Sequence, residues 1–270
     1  MPLLAGSGLV DHLVPLNRRS ASSIWIALRW MHRWKPEVCI DFQGLLKSAI
    51  TGRLSGAPRR VGFVPELLRE REAAVFYSEA IAANSAHVVD QNLELARSLG
   101  LPTEVERMPL PIGIAEGSLP EGDFVLAAPF AGWRSKQWPV ENYAEIGRRL
   151  KLERGMDLVM NVMPNQELPE SDFLWRHESS IEGLIDATKR ARGVIGLDSG
   201  PMHLGALMSK RGVAMFGPTD PERNGPYGGT IRSLRQPGAE TSYKREAEIA
   251  ESMKALSVDQ VWTALNEALR

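Results

Sequence analysis

An α/β fold built on parallel strands is predicted by three observations. Strand and helix signals alternate along the chain. The run Val194 to Leu207 passes from an apolar strand through an Asp-Ser-Gly turn into a helix opened by Pro201. A Pro- and Gly-rich stretch, Leu101 to Gly122, reads as a linker between two series of such units. The division predicts two domains, residues 1–115 and 116–270.

Composition supports that organisation. The chain has 270 residues, 43% hydrophobic and 24% charged, which is enough for two ordinary domains with substantial cores. With 32 Lys+Arg against 33 Asp+Glu, nothing global asks for nucleic acid, so any basic patch must be local. The single Cys39 lies in the apolar run Val38-Cys39-Ile40, reads as a core position and excludes an intrachain disulfide. A reducing, cytoplasmic compartment is therefore expected. Met1 to Pro15 lacks the pattern of a secretory signal, and no segment approaches the roughly 18 apolar residues of a membrane span.

In the first half, Leu9 to Leu16 reads as a strand, Ser20 to Trp34 as a helix and Glu37 to Phe42 as a buried strand. A helix over Gly44 to Leu54, a strand over Arg59 to Phe63 and an amphipathic helix over His87 to Leu99, stopped by Gly100, complete it. The second half restarts with a strand over Asp123 to Ala128, a loop to Trp138 and a helix over Pro139 to Leu150. Met156 to Val162 is the next strand. Ser179 and Glu182 have capping-box spacing, predicting a helix to about Ala191, and Gly212 to Phe216 is the strand after the helix from Pro201. Ser257 and Gln260 form a second capping box, opening a last helix with Val258, Val261, Trp262, Leu265 and Leu269 inward.

The Asp198-Ser199-Gly200-Pro201-Met202-His203 turn carries the chemistry. Gly200 frees the turn, Pro201 fits the first helical position, and the unpaired N–H groups of the first turn would hold a phosphate at the carboxyl edge of the sheet. Asp198 would orient sugar or ribose hydroxyls, or alternatively cap the helix, an interaction of about 0.3–1 kcal/mol. His203 is either a neutral donor to the ligand or a packed residue under the loop. Thr219 and Asp220 could line the same pocket, or simply hold a turn before Pro221.

Four segments together resemble glycosyltransferase family 9: Asp41-Phe42-Gln43-Gly44-Leu45-Leu46-Lys47-Ser48-Ala49, Lys136-Gln137-Trp138-Pro139, Asp198 to Leu204, and Phe216-Gly217-Pro218-Thr219-Asp220-Pro221. The resemblance implies a GT-B-like architecture, two Rossmann-like domains facing across a cleft. It further implies inverting transfer of a heptose-type sugar from an ADP-sugar to a Kdo–lipid A type acceptor. Donor-binding residues would be Lys136, Glu167, Asp198, Ser199, Gly200, His203, Gly217, Pro218 and Thr219. Lys136 would offset charge on the leaving phosphate, the helix N-terminus would add donors, and no metal or other cofactor is expected. The anionic acceptor calls for Arg18, Arg19, Asp41, Gln43, Lys47 and Arg69 in the first domain; the alternative for Asp41 is to cap the helix from Gly44.

The departures from the pattern matter as well. In the family, a general-base aspartate lies on an opening strand-loop segment that here would precede Met1, so the first domain is expected to be incomplete and no catalytic base is assigned. Without a base, a loss of roughly 10²–10⁴-fold follows. Ala131-Gly132 also replace a hydroxyl pair of the family's donor loop. Three readings stand: the transferase, a non-catalytic nucleotide-sugar-binding remnant and, less well supported, a GT-B-like sugar epimerase. Trp25, Trp30 and Trp34 with Arg29 and Arg33 suit an anionic lipid interface, but lie off one helical face and so read as packing residues. Peripheral contact with the inner membrane is the alternative, and a monomer is expected.

Overall fold

The computed structural model describes residues 3–5, 7–17, 19–104 and 112–270. The chain divides into two compact units, Leu3–Pro109 and Leu110–Arg270.

The first unit contains α1 (Ala21–Trp34), β1 (Val38–Ile40), α2 (Leu46–Leu54), β2 (Arg59–Phe63), β3 (Glu79–Ile81) and α3 (Val88–Arg97). Its sheet has the order β1-β2-β3, all parallel. Val61, Phe63, Leu68, Ala73 and Leu95 form its buried centre. Gly44 turns the chain from β1 into α2 with φ of 63°, and a Cβ there would lie 2.7 Å from Leu68 Cδ2. Only glycine meets both conditions without strain.

Three expectations for this unit fail. Leu9 to Leu16 is not a strand: Leu9, Val10, Val14 and Leu16 are exposed, and no described strand offers the segment a ladder partner. Trp25, Trp30 and Trp34 are not packed inside. Trp25 is 58% exposed with the Arg29 guanidinium 4.5 Å over its ring. Trp30 and Trp34, one turn apart, gather His12 edge-on at 5.6 and 4.2 Å. The inward side of α1 is instead held by the small Ala27, which is buried. Cys39 is half-buried rather than a core residue, and burial pushes its thiol pKa up.

The second unit contains β4 (Phe124–Ala127), α4 (Asn142–Arg149), β5 (Asp157–Val162), β6 (Leu174–Glu178), α5 (Ile181–Arg190) and β7 (Gly193–Leu197). It continues with α6 (Gly200–Leu207), β8 (Arg211–Phe216), α7 (Pro221–Asn224), β9 (Ile231–Arg235), α8 (Glu251–Lys254) and α9 (Val258–Ala268). Six parallel strands run in the order β6-β5-β4-β7-β8-β9. The chain builds outward from β4 in one direction and from β7 in the other, so their adjacent carboxyl ends form the topological switch point of the sheet. Both faces are covered, which explains the near-continuous apolar strands.

Helix α9 opens on the predicted Ser257–Gln260 capping box and buries Val261, Trp262 and Leu265. The box predicted at Ser179 is corrected by one residue. Ser180 is the cap, accepting from the N–H of Glu182 and Gly183, while the Glu116 carboxylate takes the Ser180 N–H and hydroxyl at 2.7 and 2.8 Å. Glu116 thus supplies from a distant segment what the box would have supplied locally. Strands β3, β6 and β9 went unpredicted because edge strands such as Leu174-Trp175-Arg176-His177-Glu178 carry no clean apolar alternation.

Candidate functional site

At the switch point, the loop after β4 meets the turn after β7. That loop is anchored by Trp138, buried against Tyr143 with its indole N–H donating to the Leu256 carbonyl at 2.9 Å. Gln137 Nε2 donates to the Ala131 carbonyl, and the Ala250 N–H to that of Ser135. Held from both sides, the single helical turn Arg134–Lys136 projects Lys136. Its Nζ lies 2.6 Å from Asp198 Oδ2, with side-chain exposures of 14% and 11%. The same ammonium lies 4.1 Å from the centre of the Trp133 ring, and the Arg245 guanidinium lies 5.4 Å from it. His203 Nε2 approaches Asp198 Oδ1 at 4.0 Å. Lysine, aspartate and histidine therefore form one polar cluster, 62 residues of sequence bridged between its first two members.

The turn after β7 has the backbone it needs. A Cβ on Gly196 would lie 2.6 Å from Met202 Cβ, so this glycine lets α6 start close over the strand, and Gly200 faces open space. Ser199 is the cap residue of α6, but its hydroxyl donates back to the Leu197 carbonyl, and no side-chain bond caps the helix. Asp198, read from sequence as an alternative cap, is turned to Lys136 instead, because the partly buried ammonium is the stronger partner. Among the described residues no side chain caps the start of α6, which lies beside a cation at a positive dipole end. A helix start beside a cation has the general make-up of an anion-binding corner.

The flanking strand ends carry the remaining predicted donor residues. After β8, the Gly217 carbonyl accepts from Arg235 and the Pro218 carbonyl from the Ser242 N–H at 2.7 Å. Thr219 is buried, and its hydroxyl has no partner among the described residues. Asp220 accepts from the Glu222 N–H and caps α7, its turn-holding role. Glu167 is exposed in the loop after β5. Sequence reasoning missed Trp133 and Arg245. An aromatic residue inside Trp133-Arg134-Ser135-Lys136 was a usable signal, but Arg245 lies far along the chain. Among the described residues, no group of three or more His, Cys, Asp or Glu side chains could hold a metal ion.

In the first unit, Asp41 is 7% exposed and fully engaged. Its Oδ1 accepts from the N–H of Gln43 and Gly44, its Oδ2 from the hydroxyls of Ser48 and Tyr77. Burial and this acceptor push the Tyr77 phenol well above its ordinary range. The cap of α2 comes from Glu70, which accepts from the Leu46 N–H at 2.7 Å. A cavity of about 1080 Å³ is lined by Asp41, Gln43 and Lys47, with Ile24, Leu28 and Met31 of α1 opposite. Lys47, Arg19 and Arg69 are exposed, Arg19 and Arg69 lie outside that lining, and Arg18 lies outside the described residues.

Residues 31–254 match the model of a protein family described as glycosyltransferase family 9 (heptosyltransferase). The chain belongs to glycosyltransferase family 9. Lipopolysaccharide heptosyltransferase 1 of Escherichia coli O18:K1:H7 (strain RS218 / NMEC) is 28% identical over 227 residues, 76% of this chain and 67% of that protein. Among solved structures, E. coli heptosyltransferase WaaC with ADP has a TM-score of 0.74 at 22% identity, covering 96% of this chain and 84% of that one. The glycosyl transferase family 9 structure from Veillonella parvula DSM 2008 has a TM-score of 0.76 at 19% identity, covering 99% and 85%. The parallel-sheet α/β fold is thus that of the family 9 enzymes. No described helix is long and apolar enough to cross a membrane.

Proposed function

We propose that the second unit binds an ADP-sugar and that the chain transfers its heptose-type sugar, with inversion, to an anionic lipopolysaccharide-core acceptor of the Kdo–lipid A type. The observation that carries this reading is the pairing of Lys136 with Asp198 beside the uncapped start of α6, at the switch point of the sheet. Transfer moves a pair of electrons onto the leaving diphosphate as the bond from the anomeric carbon to oxygen breaks. The acceptor hydroxyl forms the new bond from the opposite face and gives its proton to a general base, a role we assign to no described residue. Lys136 and the α6 amides meet the departing charge with fixed positive potential, which needs no reorganisation during the reaction. Asp198, released from part of its ion pair, accepts from a hydroxyl of the sugar or ribose, and His203 donates beside it. Glu167 stands at the next strand end for the ribose.

The acceptor belongs to the first unit in this reading. Lys47, Arg19 and Arg69 supply positive charge without ion-pair partners among the described residues. The exposed Trp25, Trp30 and Trp34 with Arg29 and Arg33 suit the surface of an anionic membrane, where a lipid acceptor resides. Incubation with ADP-heptose and a Kdo–lipid A acceptor tests the proposal: ADP and heptosylated lipid should form in equal amounts. ADP binding with no turnover would instead favour the non-catalytic reading, and absence of both would refute the donor site.

A further inference from the structure

The amino ends of β4, β7 and β8, the edge opposite Lys136 and Asp198, gather positive charge that sugar transfer does not use. Two neighbouring helix-to-strand connections supply it. Lys189-Arg190-Ala191-Arg192 leads from α5 into β7, and Ser209-Lys210-Arg211 leads from α6 into β8. Lys210 ties them together, its Nζ donating to the carbonyls of Lys189 and Ala191 at 2.6 and 2.8 Å. The Arg192 N–H donates to the Phe124 carbonyl at 2.8 Å, fixing the strand start. Two concavities result, of about 440 and 310 Å³, and Arg192 and Arg211 line both. Arg270 closes the smaller one.

Most of these charges have no ion-pair partner among the described residues. Arg190 stands 3.9 Å from Asp186, whereas Lys189, Arg192, Arg211 and Arg270 form no ion pair among the described residues. Asp123 is the one carboxylate side chain in the two linings. The field is felt locally: burial, and then the charge of Arg192, lower the Lys210 pKa. Guanidinium groups converging on a concavity match the paired oxygens of a phosphate. The five-residue strand β7 keeps this edge about 16 Å from the donor corner, at roughly 3.3 Å per residue.

We propose that the two concavities joined at Arg192 and Arg211 form one second anion site, which takes a phosphate monoester or diphosphate group carried by a free ligand or a phospholipid headgroup. Its test uses the full chain with Lys136→Met, in which anion binding at the donor corner is weakened roughly tenfold or more, and reads the part of binding that depends on Arg192 and Arg211. Inorganic pyrophosphate is titrated calorimetrically at about 50 mM salt, where screening is weak. One equivalent should bind, and adding Arg192→Gln and Arg211→Gln should weaken it roughly tenfold or more. In parallel, the same two proteins are sedimented with phosphatidylglycerol and with phosphatidylcholine vesicles. Arginine-dependent pyrophosphate binding without sedimentation assigns a free ligand, and arginine-dependent sedimentation with the anionic vesicles alone assigns a headgroup. All the substituted arginines are exposed, and Arg270→Gln provides a milder variant whose thermal melt and binding are read together. If neither probe binds, or if binding ignores these arginines, the proposal is wrong.

Discussion

Replacing Lys136 by methionine keeps the side-chain stem and removes the ammonium. At 2.6 Å and an effective dielectric constant near 20, the gross attraction to Asp198 is about 6 kcal/mol. Desolvation of two side chains only 14% and 11% exposed offsets most of it, at several kcal/mol per ion. The larger effect of the substitution is the carboxylate left behind. Breaking a fully buried pair costs about 3–5 kcal/mol, and here residual exposure and His203 at 4.0 Å lessen that. We expect Lys136→Met to destabilise the second unit by about 2–3 kcal/mol in urea unfolding, and Asp198→Asn in the same chain to restore most of it. Turnover of ADP-heptose should fall roughly 10²–10³-fold in the single variant and stay low in the double, because neutralising Asp198 does not replace the missing cation. A double variant that regains turnover, or a single variant as stable and active as the parent, would refute the reasoning.

Further outcomes follow from the same geometry. Trp133→Ala removes the π face 4.1 Å from the Lys136 ammonium, worth about 0.5–1 kcal/mol, and should raise the donor KM two- to fivefold by roughly that energy, with Trp133→Phe recovering part of it in steady-state kinetics. Gly44→Ala must adopt φ near 63° against Leu68 Cδ2 and should cost about 1–3 kcal/mol in denaturant unfolding of the first unit. Burial lowers the His177 pKa, so the unfolded chain binds the proton first. Stability should therefore be level above pH 6.5 and decline as the pH falls below it; His177→Asn should flatten that limb in melts taken from pH 7.5 to 5.

Much of the second unit was legible because its strands are buried on both faces and its turns use residues with single purposes. Val194-Ile195-Gly196-Leu197 had to be a strand, and Pro201 had to open a helix. Lys136 could be selected because Trp138 and Pro139 beside it complete a segment that resembles the family, and in the structure the indole holds the loop. What local pattern hides is which residues meet across the sheet. The choice between Asp198 as cap and Asp198 as ion-pair partner depended on the position of Lys136, and the cap of α5 depended on Glu116 arriving from elsewhere. Trp25, Trp30 and Trp34 illustrate the opposite error. Their spread off one helical face argued for packing, yet a helix that buries only Ala27 leaves its large residues outside. Asp41 shows that a polar residue at a strand end can be consumed by its own turn, here with Ser48 and Tyr77 taking what the backbone leaves.

Calorimetric titration of ADP into the full chain and into Lys136→Met tests most directly that the β4–β7 switch point is the donor corner. One ADP per chain should bind the parent, and the variant should bind it at least roughly tenfold more weakly, the loss of one charge-assisted phosphate contact. Equal affinity for the two proteins, or no binding to the parent, would contradict the account.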